Sequence, residues 1–200
     1  VDENGNIVDG DQIMAIVGNY MKSKGTLKKD TIVATVMSNL GFFLMAEKNA
    51  IHMEKTKVGD RYVLERMKEI GASLGGEQSG HIIFLDENTT GDGLLSALHL
   101  LQVMVDTGKP LSELASIMTV MPQALVNARV PNHKKDKYME YPEIAGAIDE
   151  LNRKFAGDGR VLIRPSGTEP KVRVMIEGRD QKMIDEEAHK LADLIQNIML

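Results

Sequence analysis

The segment RPSGTEPK, residues 164–171, joins two stretches in which apolar side chains alternate with polar ones. The alternating apolar positions are Val161, Ile163, Val172, Val174 and Ile176. Alternation of this kind is typical of strands that bury one face, so we predict two strands joined by the segment. Eight connecting residues are more than a tight hairpin turn needs. We therefore expect the segment to form a distinct loop between the strands.

The side chains of this loop are suited to an anion. Arg164 offers a planar guanidinium that matches phosphate oxygens, and Ser166 and Thr168 offer hydroxyl donors. Gly167 lets backbone N–H groups approach an anion without a Cβ in the way, and two prolines stiffen the loop. Phosphate binding is therefore one hypothesis. The alternative is an ordinary surface turn with a solvated arginine, since the same residue types are common in turns.

The residues around this loop predict a small α+β domain. Helical patterns at residues 142–155 and 181–199 surround the strands at 160–163 and 172–177. Helices in these positions can cover one face of a small sheet. We place this domain at residues 129–200.

An α/β pattern precedes that domain. Strand, helix and strand follow one another from Thr31, as in domains with parallel strands, and we predict an α/β domain at residues 28–128. The charged run at residues 133–137 lies next to the predicted boundary and indicates a solvated linker. Replacing Lys135 by alanine is therefore expected to change ligand binding little.

Residues 1–27 are predicted to be the end of a preceding domain. Asp9 and Gln12 stand at capping-box spacing before a helical apolar stripe. An Asn-Gly turn at residues 4–5 precedes a return strand at residues 7–8, but only a few residues come before the turn. We expect the chain to begin inside an element of a longer protein. A frayed terminus of a complete domain is the alternative.

A second loop, GGEQSGH at residues 75–81, holds three hydrogen-bonding side chains among glycines. The Glu77 carboxylate can accept from two neighbouring hydroxyls, Ser79 can donate or accept, and His81 adds a donor. These groups suit the adjacent hydroxyls of a sugar ring. The alternative is a glycine-rich hairpin whose glutamate faces water.

The corner KVGDR, residues 57–61, leads from a strand into a helix. Lys57 and Asp60 lie at the helix N-terminus, where free N–H groups favour oxyanions, so the corner is a candidate substrate contact. The alternative is that Asp60 is only the N-cap of the helix.

Composition limits the classes of function. The chain has 29 acidic and 24 basic residues, a net charge of -5, which argues against a nucleic-acid partner. It has no cysteine, so it has neither disulfides nor thiolate sites. The apolar run at residues 94–105 is too short to span a membrane, and the histidines lack metal-ligand spacing. We expect a cytoplasmic protein with no membrane partner and no metal site of its own.

Four motifs together carry a family resemblance. They are MSNLGF at residues 37–42, TKVGDRYV at 56–63, GEQSGH at 76–81 and RPSGTEPKVRVM at 164–175. In this order, over essentially the whole chain, they resemble the α-D-phosphohexomutase superfamily. The resemblance implies a mixed-sheet α/β domain followed by a smaller TATA-binding-protein-like α+β domain.

The resemblance also implies two groups of substrate-binding residues. Those assigned to the sugar hydroxyls or close to them are Glu77, Ser79 and His81. Those assigned to the phosphate that is not transferred are Arg164, Ser166, Gly167 and Thr168. Less specific matches are Lys57, Asp60 and Arg173.

Members of the superfamily move phosphate between O1 and O6 of a hexose through a phosphorylated serine, Mg²⁺ and a bisphosphate intermediate. Neither the phosphoserine loop nor the aspartate-rich magnesium loop occurs in these residues. The resemblance therefore places the catalytic residues and the Mg²⁺ ligands in N-terminal domains of a longer parent, and these 200 residues alone are expected to be inactive. Partners are those domains and a small phosphosugar, and a homodimer is allowed.

Within the superfamily the chain is most similar to the bacterial branch that interconverts glucosamine 6-phosphate and glucosamine 1-phosphate. The residue at the Asp60 position often differs in relatives acting on unaminated hexose phosphates, which favours this branch. Two alternatives stay open. One is a relative acting on mannose or glucose phosphates, and the other is a free-standing phosphosugar-binding module that is not an enzyme.

Overall fold

The centre of the first sheet is the β-branched run TIVAT, strand β1 (Thr31–Thr35), which is buried along its whole length. The computed structural model describes residues 1–157 and 159–200, which divide into two units, Val1–Val120 and Met121–Leu200. In the first unit β1 lies between two parallel neighbours, β2 (His52–Thr56) and β3 (Leu74–Gly76). β4 (Ile82–Phe84) pairs antiparallel with β3 and completes a mixed sheet of order β2-β1-β3-β4.

Helices cover both faces of this sheet. They are α1 (Gly10–Ser23), α2 (Leu40–Lys48), α3 (Asp60–Ile70), α4 (Gly93–Thr107) and α5 (Leu111–Ala115). Ile32 belongs to the larger core with residues of α1, α2, α4 and α5, while its neighbour Val33 belongs to a smaller core with residues of α3. Successive strand residues point to opposite faces, so the two cores lie on the two sides of the sheet.

Helix α1 belongs to the first unit. Its Met14 and Val17 are buried in the same core as Ile32 and Phe42. The expectation that residues 1–27 end a preceding domain is therefore wrong for α1, because its apolar face packs on this sheet. The capping box that we predicted is present, since Asp9 accepts the Gln12 N–H at 3.0 Å and Gln12 accepts the Asp9 N–H at 3.2 Å.

The N-terminal turn forms without a return strand. The Asp2 carboxylate accepts the N–H groups of Asn4 and Asn6 at 2.9 and 2.8 Å, and Asp2 donates its own N–H to the Asn6 carbonyl. Residues 7–8 are not in a strand, and the Ile7 side chain is exposed. Hydrogen bonds to the Asp2 side chain therefore stabilise this turn, and the predicted hairpin does not form.

The second unit contains an antiparallel sheet of order β5-β7-β6. Its strands are β5 (Gln123–Arg129), β6 (Arg160–Pro165) and β7 (Lys171–Glu177), and its helices are α6 (Pro142–Lys154) and α7 (Gln181–Met199). The helices pack with Val172, Val174 and Ile176 in one core, so they cover a single face of the sheet. This arrangement confirms the predicted α+β class.

The boundary between the units lies before β5, at residues 120–121, and not at residues 128–129 as predicted. The reason is that β5 pairs with β7 along its full length, from Gln123 opposite Glu177 to Arg129 opposite Lys171. In the part of the chain that the structure describes, none of the helices has the length and apolar character needed to cross a membrane.

Gly41 in α2 provides a test of packing in the first unit. A Cβ at Gly41 would lie 1.8 Å from the carbonyl oxygen of Thr119, and that backbone atom cannot rotate away. We expect Gly41→Ala to lower the free energy of unfolding by about 1–3 kcal/mol, measured by urea denaturation.

The matched control is Gly146→Ala in α6, where a Cβ would meet no atom within 4 Å. This variant should gain about 0.5–1 kcal/mol, because alanine is the better helix former. Equal stability of the two variants would contradict the described contact.

Candidate functional site

The carboxyl ends of the three parallel strands carry the polar motifs of the first unit. Residues 37–42 follow β1, residues 57–61 follow β2 and residues 77–81 follow β3. From β1 the chain goes to β2 on one side, and β3 lies on the other side, so the strand order reverses beside β1. Crevices outside the carboxyl ends of strands at such a reversal are the usual ligand sites of α/β sheets.

The loop at residues 77–81 is a tight turn between β3 and β4. Glu77 donates its N–H to the His81 carbonyl at 2.9 Å, and Gly80 donates to the Glu77 carbonyl at 3.0 Å. Gly80 has a φ of +99°, which other residues rarely adopt. Ser79 is exposed within this turn. The turn therefore presents Ser79 and His81 outward on a fixed backbone.

The corner after β2 contacts this turn. The Glu77 carboxylate accepts the Gly59 N–H at 2.9 Å, and His81 Nε2 lies 3.9 Å from Asp60 Oδ2. The structure thus brings the three residues predicted for the sugar hydroxyls, Glu77, Ser79 and His81, close to Asp60. Lys57 is exposed at the same corner. Asp60, however, is not the N-cap of α3.

Gly59 is the N-cap of α3, with a φ of +129°. Asp60 is the first helical residue, and its Oδ1 accepts the Arg61 N–H at 2.8 Å. The Asp60 side chain is 57% exposed, so its carboxylate is accessible to a ligand. The capping alternative for Asp60 is therefore wrong, because a glycine in an unusual backbone conformation already takes the capping position.

The N-terminus of α1 supports the same turn, which the sequence did not predict. Gly10 donates its N–H to the Gln78 carbonyl at 3.0 Å, and Gln78 Nε2 donates to Asp9 Oδ2 at 3.1 Å. A Cβ on Gly10 would lie only 2.2 Å from the Glu77 carbonyl oxygen. The glycine therefore permits a close approach that holds the turn in place.

The loop between β6 and β7 is braced by its own hydrogen bonds. Ser166 donates its N–H to the Lys171 carbonyl at 2.9 Å, and its hydroxyl oxygen accepts the Glu169 N–H at 3.3 Å. Ser166 is only 2% exposed, so its first role is to shape the loop. Gly167 and Thr168 are exposed, and within residues 1–157 and 159–200 their N–H groups have no hydrogen-bond partner.

Two arginines stand beside this loop. Arg164 of β6 lies directly opposite Arg173 of β7, on the sheet face away from the helices. Arg173 donates to Glu169 at 3.1 Å, while its buried Nε has no partner among the described residues. The Arg164 guanidinium forms neither a hydrogen bond nor an ion pair with any described residue. Burial, and then the charge of Arg173, lower the pKa of Arg164 from its ordinary value.

This arrangement is electrostatically unfavourable without an anion. Like charges directly opposite on neighbouring strands destabilise a sheet, and a lowered pKa means that the protonated form of Arg164 costs free energy in the folded state. That cost is present at every pH at which Arg164 is protonated and disappears only as the pH rises through its pKa. A bound anion would offset it at neutral pH.

Lys135 lies behind the loop, which the sequence did not predict. It is buried, and its Nζ donates to the Ser166 carbonyl at 2.6 Å and to the Gly167 carbonyl at 3.5 Å. Tyr138 of the same 3₁₀ segment, Lys135–Glu140, donates to the Ile163 carbonyl at 3.2 Å. The prediction of a solvated linker at residues 133–137 is therefore wrong for Lys135. A run of charged residues gave no sign that one lysine is buried by tertiary contacts.

The ten predicted site residues thus form one group in each unit. The first comprises Lys57, Asp60, Glu77, Ser79 and His81, and the second comprises Arg164, Ser166, Gly167, Thr168 and Arg173. Among the described residues, no group of three or more His, Asp or Glu side chains could hold a metal ion. The described side chains therefore offer no cluster of this kind to Mg²⁺.

Family models match both units. The model of the phosphoglucomutase/phosphomannomutase alpha/beta/alpha domain III matches residues 9–121, and that of the C-terminal domain of the same proteins matches residues 125–194. The first match begins just before α1, which agrees with the packing of α1 in the first unit.

Curated relatives include the phosphoglucosamine mutases of Ruminiclostridium cellulolyticum and Clostridium acetobutylicum. They are 62% and 60% identical to the chain over 196 residues, which is 98% of this chain and 44% of each relative. The chain therefore spans less than half the length of the curated relatives that it matches.

Solved structures with the same fold include N-acetylphosphoglucosamine mutase from Aspergillus fumigatus. One has a TM-score of 0.81 at 21% identity and covers 97% of this chain and 44% of that one. Another, in complex with GlcNAc-6P and magnesium, has a TM-score of 0.79 at 21% identity, covering 100% of this chain and 46% of that one. These structures confirm the predicted fold class. Since both units match their domain models in order, the chain belongs to the phosphoglucomutase/phosphomannomutase family.

Proposed function

We propose that this chain is the phosphosugar-recognition portion of a phosphoglucosamine mutase, which interconverts glucosamine 6-phosphate and glucosamine 1-phosphate. The observation that carries the proposal is the Arg164 guanidinium, which has no ion-pair partner among the described residues, opposite Arg173 and beside the exposed N–H groups of Gly167 and Thr168. The identity of 60% or more to the two phosphoglucosamine mutases supports the choice of substrate.

The phosphate end of the substrate binds the loop between β6 and β7. The Arg164 guanidinium supplies a fork for two phosphate oxygens, and Arg173 adds a second positive charge. Gly167 and Thr168 add backbone donors, and Thr168 adds a hydroxyl. A Cβ at Gly167 would meet no protein atom within 4 Å, so the fold itself leaves room there. Packing within the protein therefore does not require a glycine at residue 167. Close approach of a phosphate to the backbone would require one.

The first unit offers a separate set of polar groups that are suited to a sugar ring. One Glu77 oxygen accepts the Gly59 N–H, which leaves the other oxygen to accept from a sugar hydroxyl. Ser79 and His81 are exposed beside it and supply further hydrogen bonds. The Asp60 carboxylate is accessible and carries a negative charge suited to the ammonium group of glucosamine, which glucose lacks.

The reaction itself requires groups beyond these residues. Phosphate moves between O1 and O6 through a phosphoserine and a bisphosphate, so one site must hold the idle phosphate in either orientation of the sugar. Binding energy at that site positions the reacting end without joining in the chemistry. We assign the serine and the Mg²⁺ ligands to other domains of the parent polypeptide. The proposal includes a cytoplasmic location, which the absence of cysteine permits, and a homodimer remains a prediction.

Arg164→Ala tests the phosphate site. Because charge-assisted hydrogen bonds contribute about 1.5–3 kcal/mol, we expect affinity for glucosamine 6-phosphate to fall at least about tenfold, measured by NMR titration of the 200-residue chain. The matched control is Arg153→Ala, which removes the same charge from an exposed position of α6 and should bind like the parent. Equal losses in both variants would refute the site.

The pH dependence of phosphate binding tests the charges. Methyl phosphate serves as the probe because it has no sugar ring for His81 to contact. Its second proton dissociates near pH 6, whereas guanidinium groups as a class do not titrate in this range. Affinity should therefore increase severalfold from about pH 5 to about pH 7.5, and this increase should be smaller in Arg164→Ala. An affinity that falls over this range would contradict a dianion site.

Asp60→Asn tests the choice of sugar and separates the glucosamine proposal from the second candidate. That candidate, turnover of glucose or mannose phosphates, is favoured by the names of the two matching domain models. In the full-length parent, the preference for glucosamine 1-phosphate over glucose 1-phosphate should fall about fivefold in Asp60→Asn, as loss of a roughly 1 kcal/mol charge interaction predicts. Glu65→Gln on the same helix is the control. A parent that prefers glucose 1-phosphate would overturn the glucosamine assignment.

A further inference from the structure

The most unusual cation outside the assigned site is Lys135. Lys135 is buried, although the other residues of the charged run at 133–137 are exposed or only partly buried. Burying an ammonium is costly unless it is hydrogen-bonded, and here its partners are backbone carbonyls of the phosphate loop. The fold therefore directs the Lys135 amine at the backbone of the phosphate loop.

The geometry of the peptide bond gives these contacts a consequence. The peptide bonds of the described chain are trans, so each carbonyl points opposite to the N–H of the following residue. The Ser166 carbonyl shares its peptide unit with the Gly167 N–H, and the Gly167 carbonyl shares its unit with the Thr168 N–H. Drawing both carbonyls toward Lys135 turns both N–H groups away from it.

Among the residues that the structure describes, those two N–H groups of the loop have no hydrogen-bond partner. Their residues are exposed, while Ser166 and Lys135 behind them are buried. The Ser166 contact, at 2.6 Å, is the stronger restraint, and the Gly167 contact, at 3.5 Å, is weaker. The Gly167 N–H should accordingly be the better ordered of the two donors.

We propose that Lys135 is a positioning residue of the phosphate site, which holds the loop carbonyls inward so that the Gly167 and Thr168 N–H groups face the substrate phosphate. This inference rests on the proposed function, because it assumes that the loop binds phosphate. Lys135 itself does not touch the ligand. It acts through the backbone, and its charge adds to the positive potential of Arg164 and Arg173.

The test is an NMR titration of the 200-residue chain with inorganic phosphate, following the amide signals of Gly167 and Thr168. In the parent both signals should move on binding. In Lys135→Met, which keeps most of the length of the side chain without donors or charge, affinity should fall about tenfold and both amide shifts should shrink. Lys135→Arg, which restores donors and charge, should recover most of the affinity.

Lys134→Met is the matched control, because Lys134 also donates from Nζ to a backbone carbonyl, that of Met199, at 3.1 Å. It should bind phosphate like the parent. A purely structural role for Lys135 would lower the melting temperature without changing the affinity of the folded fraction or the two amide shifts, and that result would overturn the proposal.

Three further outcomes are decisive. If Lys135→Met does not fold, Lys135→Leu, which also lacks donors and charge, replaces it, and parent-like affinity and amide shifts in that variant would overturn the proposal. If the parent and Lys134→Met bind phosphate while Arg164→Ala does not, the site stands, and only the Lys135 variants decide the positioning role. Absence of binding in the parent would refute both the proposed function and this inference.

Discussion

The pairing of Arg164 with Arg173 across β6 and β7 is the constraint on which the second unit depends. Two guanidinium groups on one sheet face repel each other, and burial adds to the cost of the charge on Arg164. The helices cannot relieve this repulsion, because they pack on the opposite face with Val172 and Val174. Glu169 offsets part of the charge of Arg173. This face of the sheet thus keeps an excess of positive charge, which a bound phosphate would neutralise.

In the first unit, the main structural requirement is to fix polar groups in place at the ends of parallel strands. Its sheet reverses order beside β1, and the turn after β3 is held from two sides. Gly59 donates to the Glu77 side chain from the corner after β2, and the N-terminus of α1 approaches through Gly10. Both contacts use glycine, at Gly59 because of its backbone conformation and at Gly10 because a Cβ would clash. Rigid support of this kind lowers the entropic cost of binding a sugar.

Much of the fold follows from local patterns, because alternation and helical periodicity record which faces are buried. The strands around residues 164–171 and the helix at Gln181–Met199 were predicted for that reason. What local patterns do not encode is which distant group meets which. The burial of Lys135 and the packing of α1 depend on tertiary contacts. The N-cap of α3 is Gly59, and not Asp60 as the capping pattern indicated. The motif residues themselves could be identified, but the groups that support them could not.

The most direct measurement is a crystal structure of the chain with glucosamine 6-phosphate bound. We expect the phosphate to lie within hydrogen-bond distance of the Arg164 guanidinium and of the Gly167 N–H. We also expect Lys135 to keep its contact with the Ser166 carbonyl in the complex. A well-ordered ligand whose phosphate is held elsewhere, with Arg164 and the Gly167 N–H still without an anion, would show that the loop between β6 and β7 is not the phosphate site.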